Sequence, residues 1–486
     1  MPKLLTKSKY LYGLQCVGYM WDSIHDKGKI PKPDMVQQHT FDQGSSIGRL
    51  ATKVFPRGIA IPEDKFIENL RMSKKLLAKR VPLFEAAFMI DGIYSRADVL
   101  KPVGKDQWDI IEVKSGTKVK PVNVHDVSFQ KYCYEKAGLK IRKCFLMVVN
   151  NEYVRKGKVD VNKLFRQEDI TEKVEKISEG IETRIDTLKK VVNSEKRPDV
   201  PISHDCKTPY PCPLKHECWS FLPEGNVFEL YRGGKKSHEL FNQGIILIKD
   251  IPKDADLTLQ QGLQHQCACS GKPHVCKESI SKFFGKMKYP LYYLDFETFA
   301  PAVPLFDGTR PYQRLPFQFS LHIVQEDGTT EHISFLAEGQ SDPRKKFLKA
   351  LKNSLGTEGS IIIFYQTFEQ GLMKELASNF PEYLTWVESL NNRWLDLFKP
   401  FKNFHYYHPK QKGSASIKKV LPAVTGKGYD GMYIADGMTA SIRYVEAEFG
   451  ACLPAKRNKI RKSLEKYCGL DTEGMIWIVN GLKKEL

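Results

Sequence analysis

The chain has 486 residues, which is enough for two or three domains that each bury a core. Hydrophobic residues make up 41% and charged residues 27%, as in an ordinary globular protein, and lysine and arginine outnumber the acidic residues by 75 to 57. No run reaches the ~18 apolar residues of a membrane span, and the N-terminus lacks a signal peptide's apolar segment, so we expect a cytoplasmic protein with no membrane partner. The net charge of +18 favours a polyanionic partner, although it also serves solubility.

The first 225 residues alternate helical and strand patterns and are predicted to form one α/β domain. Helices are predicted over residues 4–24, 124–137 and 170–194, the first with Ser8 as a cap near its start. Strands are predicted over 92–100, 108–114 and 141–150, with a turn at 102–107. A stretch rich in proline and cysteine, residues 197–223, closes this domain.

Residues 226–287 have weaker periodicity and are interpreted as a connector with some helical structure. A second α/β domain is predicted over 288–486. Its strands are expected near 292–298, 318–325 and 360–365. Its helices are expected near 343–355, 368–380, 381–390, 414–421, 437–449 and 459–482.

The first candidate site lies on two predicted strands joined by a short turn. Asp98 ends one strand, and Glu112 and Lys114 stand two residues apart on the next, so they share a face. Two carboxylates bind Mg²⁺ or Mn²⁺, and the lysine can position a metal-activated water or stabilise charge on a phosphate. A surface hairpin with an ion pair is the alternative, and this short motif alone does not exclude it.

Further residues favour the metal site. Gln130 and Tyr134 stand one turn apart on the next predicted helix. The pattern D-x13-E-x-K followed by Q-x3-Y resembles the RecB-like branch of the PD-(D/E)xK nucleases, and the opening LTKSKYLYGLQC is similar to that branch's first helix. Gly48 stands where many members carry a metal-binding histidine. Asp126 is interpreted as a helix N-terminal acid, with a supporting role at the site as the alternative.

Four cysteines form a second pattern of the first domain. Cys206, Cys212 and Cys218 are each six residues apart, and Cys16 lies far upstream. One distant and three clustered cysteines resemble the iron–sulfur staple of RecB-type and CRISPR-associated nucleases, which implies a [4Fe–4S] cluster held by all four thiolates. Structural Zn²⁺ and free buried cysteines are the alternatives.

A second group of metal-ligand residue types falls in the connector, at Cys267, Cys269, His274 and Cys276. These types suit zinc. Their spacing fits no established zinc pattern, so no site is assigned to them.

The second candidate site begins on an apolar strand, YPLYYLDFETFA, in which Asp295 and Glu297 share a face. Tyr467 and Asp471 stand four apart on a predicted helix and also share a face. Strand D-x-E with helix Y-x3-D resembles the DEDD exonucleases of the tyrosine subtype, which are DnaQ-like proteins with an RNase H-like mixed sheet. That resemblance implies two metal ions, with Tyr467 orienting the attacking water.

The middle motif of that family is incomplete in this chain. The segment FYQTFE has the expected aromatic residue but carries glutamine and glutamate in place of asparagine and aspartate. Glu369 is therefore carried over as the matching acid. Asp396, in RWLDLF, is the alternative acid that can reach the site.

Basic and aromatic residues interleave in the second half, a mixture that binds phosphates and stacks unpaired bases, although a solvated helix face is the plain alternative. The predicted nucleic-acid-binding residues are Lys410, Lys412, Lys418, Arg457, Arg461 and Lys462.

Most of the chain is similar to an uncharacterised bacterial family that joins a RecB-like nuclease to a DEDD-like half. The resemblance implies a metal-dependent nuclease with two sites, acting on DNA more readily than RNA, in repair, recombination or defence. The alternatives are a nucleic-acid-binding scaffold with inactive sites, or an RNA-processing exonuclease whose first half only grips its substrate.

Overall fold

The structure, a computed structural model, describes residues 3–486. It contains two compact units. The first consists of the chain up to Phe221 together with Pro301–Gln313, and the second consists of Leu222–Ala300 and Arg314–Leu486. Each unit combines a mixed sheet with helices, so the predicted α/β class is confirmed. None of the helices formed by the described residues combines the length and the apolar character that crossing a bilayer requires.

The first unit is built on a seven-stranded sheet. Its strands are β1 (Leu5–Thr6), β2 (Ile59–Ala60), β3 (Leu83–Ile90), β4 (Ile93–Val103), β5 (Gln107–Lys114), β6 (Lys140–Val149) and β7 (Phe165–Asp169). The order is β2-β3-β4-β5-β6-β7, with β1 pairing in parallel with β4. The pairs β3–β4, β4–β5 and β6–β7 are antiparallel, and β5–β6 is parallel.

Helices cover this sheet and connect its strands. They are α1 (Lys7–Gln15), α2 (Val17–His25), α3 (Met35–Thr52), α4 (Phe66–Leu76), α5 (Pro121–Lys136), α6 (Val161–Leu164), α7 (Thr171–Ser178), α8 (Ile181–Asn193) and α9 (Lys215–Cys218). Because β5 and β6 are parallel, their connection must cross over, and α5 forms that crossover. The crossover places α5 next to the predicted site on β4 and β5.

Two long predicted helices are each broken in the structure. The one predicted over 4–24 becomes α1 and α2, because Cys16 adopts an extended backbone with φ −162°. Its cap is Thr6 rather than Ser8, since the Thr6 hydroxyl accepts a hydrogen bond from the Lys9 amide at 3.4 Å. The helix predicted over 170–194 becomes α7 and α8, separated by Gly180 with φ 71°.

The segment Pro301–Gln313 completes the core of the first unit. Ala302 is buried in a cluster with residues of α3 and β6, and Tyr312 packs against that cluster. The Arg155 guanidinium donates to the Pro304 carbonyl at 3.0 Å, and the Tyr312 hydroxyl donates to the Ser115 carbonyl. These contacts come from residues more than 70 positions beyond the predicted first domain.

The second unit is built on a five-stranded mixed sheet. The strands of this unit are β8 (His274–Val275), β9 (Leu291–Phe299), β10 (Leu315–Val324), β11 (Thr330–Leu336), β12 (Ser360–Ile363), β13 (Trp394–Asp396) and β14 (Tyr406–Tyr407). The order is β11-β10-β9-β12-β13, with antiparallel pairs as far as β9 and parallel pairs beyond it. A separate ribbon pairs β14 with β8.

Its helices are α10 (Gly234–Asn242), α11 (Leu259–Ser270), α12 (Lys277–Phe284), α13 (Arg344–Ser354), α14 (Gln366–Asn379), α15 (Leu384–Ser389), α16 (Lys399–Lys402), α17 (Ile417–Thr425), α18 (Gly437–Phe449) and α19 (Pro454–Lys484). Three of them lie in the stretch interpreted as a connector. That stretch also has a small core around Val227, Leu240 and Ile248. The 31-residue α19 packs against β9 and β10.

Two candidate metal centres and a cysteine cluster

Three carboxylates converge on the second unit's central strand. Asp295 and Glu297 project from β9, and Asp471 projects from α19. One carboxylate oxygen from each residue lies within 4.8 Å of the others. Glu297 and Asp471 are only 7% and 5% exposed, so little water reaches them. Oxygen ligands at this spacing are what Mg²⁺ and Mn²⁺ prefer.

The charge of this acid triad is poorly compensated by the protein. Burial, followed by repulsion from Asp471, raises the pKa of Asp295 well above its usual range. Burial and the other two carboxylates also raise the pKa of Glu297 well above its usual range. Burial also raises the pKa of Asp471, to about 6. Lys418 acts against all three shifts but does not cancel them, so a bound cation would relieve the repulsion.

Two tyrosines and one lysine surround the triad. The Tyr429 hydroxyl donates to Asp471 Oδ1. Burial, followed by the nearby carboxylates with Asp471 first, raises the pKa of Tyr467. The Lys418 ammonium lies 5.6 Å from the Tyr467 ring centre and 5.9 Å from that of Tyr429. The sequence predicted Tyr467 and Lys418 as functional residues but missed Tyr429, which carries no motif of its own.

The backbone of α18 at Gly437 lies close to the carboxylate of Glu297. A Cβ atom at Gly437 would lie 3.3 Å from Glu297 Oε2, so glycine leaves space beside that carboxylate. Asp436 caps α18 at this point by accepting from the Thr439 amide at 2.8 Å. The sequence marked Gly437 as a helix start, and only the fold brings that start to Glu297.

Glu369 and Asp396 occupy different environments. Glu369, on α14, is 3% exposed, and its Oε2 atom has no hydrogen-bond partner. Burial, followed by repulsion from Asp295, raises its pKa well above the usual range. Asp396 Oδ1 instead accepts from the amides of Tyr365 at 3.1 Å and Phe398 at 3.0 Å. One oxygen of Asp396 is therefore engaged by the local backbone, whereas Glu369 keeps an unpartnered oxygen.

The first unit brings its two predicted carboxylates together on adjacent strands. Asp98 Oδ2 accepts from the Val113 amide at 2.6 Å, next to Glu112. Burial, followed by repulsion from Glu112, raises the pKa of Asp98 to about 6. Glu85 on β3 lines a small pocket with Asp98, and burial raises its pKa to about 7. Sequence reasoning missed Glu85, because β3 was not predicted.

Lysines and an amide surround Glu112, which is 1% exposed. Its Oε1 atom accepts from Lys7 at 2.8 Å and from Lys114 at 2.6 Å, and its Oε2 atom accepts from Gln130 at 2.8 Å. Burial opposes ionisation, but these lysines outweigh it and lower the pKa of Glu112. Lys7 was missed because nothing in the sequence distinguishes it from the other N-terminal lysines.

Asp126 belongs to the same network. Its Oδ2 atom accepts from Lys114 at 2.8 Å, and its Oδ1 atom accepts from Gln130 at 2.9 Å. The position thus matches the supporting role that was the alternative for this residue. Its partners Lys114 and Gln130 are the same groups that bind Glu112, so two carboxylates share them.

Two further positions that the sequence analysis connected with this site are Tyr134 and Gly48. The Tyr134 hydroxyl donates to the Ala86 carbonyl at 2.6 Å and is fully buried, so it fixes α5 on the sheet rather than meeting a carboxylate. Gly48 lies on α3, and a Cβ atom there would meet nothing within 4 Å. The position at which the RecB-like pattern carries a histidine is therefore sterically open.

The four predicted cysteines are neighbours in the first unit. Burial raises the pKa of Cys212 to about 11, although a hydrogen bond from the Leu214 backbone amide acts to lower it. Cys16, Cys206 and Cys218 lie close enough to add to the increase. The Gln15 side chain donates to the carbonyls of Asp205 and Tyr210, each at 2.7 Å, and so ties the end of α1 to the cysteine-bearing loop. Among the described residues, the acid triad has three ligand atoms that all lie within 4.8 Å of one another, whereas no three of the cysteine sulfurs do.

The six predicted nucleic-acid-binding residues differ in their surroundings. Arg457 and Arg461 donate to Glu448 at 2.8 and 2.6 Å, and Lys412 donates to Glu224 at 2.9 Å. These three side chains are engaged by carboxylates, which makes them poorer phosphate ligands than expected. Lys410 and Lys462 are exposed, and Lys418 faces the acid triad.

Comparison with known proteins adds one family segment and one relative. Residues 292–416 match the family described as Domain of unknown function (DUF2779). The segment contains Asp295, Glu297 and Glu369 and ends before Asp471. Over 214 residues the chain is 26% identical to "Uncharacterized protein MG366 homolog" of Mycoplasma pneumoniae. That match covers 40% of this chain and 32% of the relative's length.

Proposed function

We propose that this protein is a metal-dependent nuclease that hydrolyses phosphodiester bonds in DNA and carries two such sites. The observation that carries the proposal is the triad of Asp295, Glu297 and Asp471, of which the last two are buried and the first is partly buried. One oxygen from each lies within 4.8 Å of the others, and the protein leaves their charge largely uncompensated. Buried like charges without a partner are costly, so a fold that gathers them is built for a cation.

The residues fit one or two divalent cations. Asp295, Glu297 and Asp471 would be the ligands, and the unpartnered Glu369 oxygen is a further donor. A bound cation there would lower the pKa of a water molecule and neutralise charge on the phosphate under attack. Tyr467 would orient that water, and Tyr429 holds Asp471 in place through its hydroxyl.

The first unit supports the second nuclease site less strongly. Asp98 and Glu85 face a pocket, while Glu112 is held by the ammonium groups of Lys7 and Lys114. A cation bound between Asp98 and Glu112 would have to displace or rearrange at least one lysine. This observation favours the second candidate function, in which the first unit only binds nucleic acid while the triad cuts it.

The proposal also assigns a domain family to each unit and a cofactor to the four cysteines. The five-stranded mixed sheet with acids on its central strand supports an RNase H-like exonuclease domain, and the β4–β5 hairpin with its α5 crossover supports a PD-(D/E)xK domain. Cys16, Cys206, Cys212 and Cys218 would hold a [4Fe–4S] cluster. Structural Zn²⁺ held by the same four thiolates is the alternative.

A comparison of point variants tests the proposal. Purified wild type, Asp98→Ala and Asp295→Ala are incubated with end-labelled single-stranded DNA, duplex DNA and RNA, with Mg²⁺, Mn²⁺ or a chelator. We expect metal-dependent products that Asp295→Ala reduces by roughly 100-fold or more, because a metal ligand is removed. Lys346→Ala, an exposed residue on α13, is the matched control.

The outcomes separate the candidate functions. Distinct products that disappear in each acid variant support two active sites. Loss in Asp295→Ala alone supports one active site and a binding role for the first unit. Preference for RNA supports the RNA-processing alternative, and identical products from all variants would refute the nuclease proposal.

A further inference from the structure

Arg197 lies between α2 and the cysteine-bearing stretch of the first unit. Its Nε atom donates to Asp22 Oδ2 at 2.8 Å, and the Asp22 side chain is only 1% exposed. Asp22 projects from α2, the helix that Cys16 caps. A buried carboxylate keeps its guanidinium partner in one place, because moving the arginine away would leave a buried charge unpaired. The fold therefore fixes the position of the Arg197 guanidinium.

Gly18 allows the guanidinium to lie against the first turn of α2. A Cβ atom at Gly18 would lie 3.0 Å from Arg197 Nη2 and 3.3 Å from its Cζ atom. Gly18 and Asp22 stand one turn apart and share a helix face, which is the face that the arginine covers. Cys16 caps the same turn, since its Sγ atom accepts from the Tyr19 amide at 3.4 Å. The contact thus brings the guanidinium to the cysteine end of this helix.

The charge of Arg197 acts on two of the four cysteines. Burial lowers the pKa of Arg197, but Asp22 and then the sulfurs of Cys218 and Cys16 outweigh burial and raise it. Burial in turn raises the pKa of Cys218, and Arg197 is the largest influence that opposes this rise. The guanidinium therefore interacts with a sulfur at the start of α2 and with a sulfur from the cysteine-bearing stretch.

Two other charged side chains act on these sulfurs. Lys207 interacts electrostatically with Cys206, which precedes it in the chain. Glu217 acts on Cys218 in the opposite sense to Arg197, but its carboxylate is exposed and pairs with a lysine at 3.5 Å. Solvent and that lysine weaken the influence of Glu217. Arg197 differs from both because a buried carboxylate holds it in place.

We propose that Arg197 is a positioning residue that stabilises the negative charge of a metal centre held by the four cysteines. Four thiolates outweigh the positive charge of a [4Fe–4S] core, so the centre is anionic, and an added electron makes it more so. A fixed guanidinium beside two thiolates favours the reduced form and so raises the reduction potential. The inference rests on the cofactor that the proposed function assigns, and it holds whether or not the protein cuts DNA.

Two variants of Arg197 test this role in the full-length protein. Wild type, Arg197→Gln and Arg197→Lys are purified without oxygen, and their visible absorption is followed while dithionite supplies electrons in the presence of redox dyes. We expect Arg197→Gln to shift the one-electron equilibrium about tenfold towards the oxidised form, which lowers the reduction potential by ~59 mV. Arg197→Lys keeps the charge but loses the planar fork of donors, so its shift should be smaller.

Arg142→Gln is the matched control. Arg142 donates to the two oxygens of Asp109 at 3.0 and 2.7 Å, and the Asp109 side chain is also 1% exposed. The acidic groups that act on Arg142 are Asp109 and Asp169, which belong to the sheet and its edge. Arg142→Gln and Arg197→Gln each leave a buried carboxylate without its arginine, so both should lower the melting temperature. Only Arg197→Gln should change the reduction potential.

Gly18→Ala tests the placement of the guanidinium without removing its charge. The added methyl group would lie 3.0 Å from Arg197 Nη2, so the guanidinium must move away from the start of α2. Alanine is favoured over glycine inside a helix, so this variant folds even if Arg197→Gln does not. We expect a smaller decrease of the reduction potential than in Arg197→Gln, and no decrease would contradict the placement.

A centre that holds Zn²⁺ is tested with the same proteins. A colourless, zinc-containing preparation is incubated with a chromophoric chelator of known affinity, and the transfer of Zn²⁺ is measured. Arg197→Gln should bind Zn²⁺ about tenfold more weakly than wild type, because groups that support metal ligands change the metal affinity by about 10–100-fold. Arg142→Gln should stay within about twofold of wild type.

The outcomes separate this inference from the proposed function. An unchanged reduction potential or Zn²⁺ affinity in Arg197→Gln would overturn the inference, as would an equal change in Arg142→Gln. Wild type that binds neither iron nor zinc at the four cysteines would overturn it as well. Failure of the nuclease proposal gives another result, since metal-dependent products that require Asp295 are then absent while the effect of Arg197 on the metal centre remains.

Discussion

The two acid clusters are made of the same residue types but differ in how their charge is balanced. In the first unit, Glu112 is bonded by Lys7, Lys114 and Gln130, and its pKa is lowered. In the second unit, burial and mutual repulsion leave Asp295 and Glu297 with pKa values far above their usual range. A carboxylate pair on a strand therefore does not define a metal site by itself, because the surrounding charges decide whether a cation is needed.

Neutralising one acid in each cluster should have opposite effects on the free energy of unfolding. Glu112→Gln deprives two partly buried lysines of a charged partner and should destabilise the protein by about 3 kcal/mol. Asp295→Asn removes a source of repulsion and should stabilise the metal-free protein by about 1 kcal/mol near pH 7. Urea unfolding in a chelator measures both values.

A conservative control sharpens this test. Glu278→Gln removes an exposed acid on α12 that pairs with Lys282, and it should change stability by less than about 0.5 kcal/mol. Destabilisation by Asp295→Asn in the absence of metal would show that the second cluster is internally balanced, and the contrast between the clusters would disappear.

The first unit should depend on a distant segment of the chain for its stability. A fragment of residues 1–225 lacks Ala302 and Tyr312 and the carbonyls that bind Arg155, so we expect it to be destabilised by about 2 kcal/mol or more. The measurement is its melting temperature with and without residues 301–313 appended through a flexible linker. If appending the segment gives no increase, it is not part of that core.

The second cluster should bind metal in a pH-dependent way. A raised carboxyl pKa means that the metal-free folded protein keeps a proton that the unfolded chain has already released, so its stability falls as pH rises from about 4 towards 6. Because Mn²⁺ must displace the protons of the carboxylates that it binds, its affinity should rise with pH by up to tenfold per pH unit for each proton displaced. Asp471 contributes below its pKa of about 6, and Asp295 and Glu297 contribute both below and above that pH.

Calorimetry in buffers of different ionisation enthalpy counts the protons released in this reaction. Asp98→Asn is the matched control in the first unit and should leave both the affinity of the second cluster and its proton release unchanged. A flat affinity between pH 5 and pH 7 would contradict the raised pKa values.

Local patterns were sufficient for much of the secondary structure. Apolar segments marked β5 and β9, and the strand period of two placed Glu112 with Lys114 and Asp295 with Glu297 on common faces. Helical spacing placed Tyr467 one turn from Asp471. Periodicity failed at Cys16 and at Glu179–Gly180, where one or two residues break helices whose apolar pattern continues across the break.

By itself the sequence determined the residue types, their spacing along each element and the surplus of positive charge, because these depend on neighbours in the chain. Only the tertiary structure decided that Lys7 reaches Glu112, that Tyr429 and Gly437 meet the triad, and that Tyr134 turns to a backbone carbonyl. It also decided which acids are compensated, since a pKa depends on burial and on charges that lie close in space while far apart in the chain.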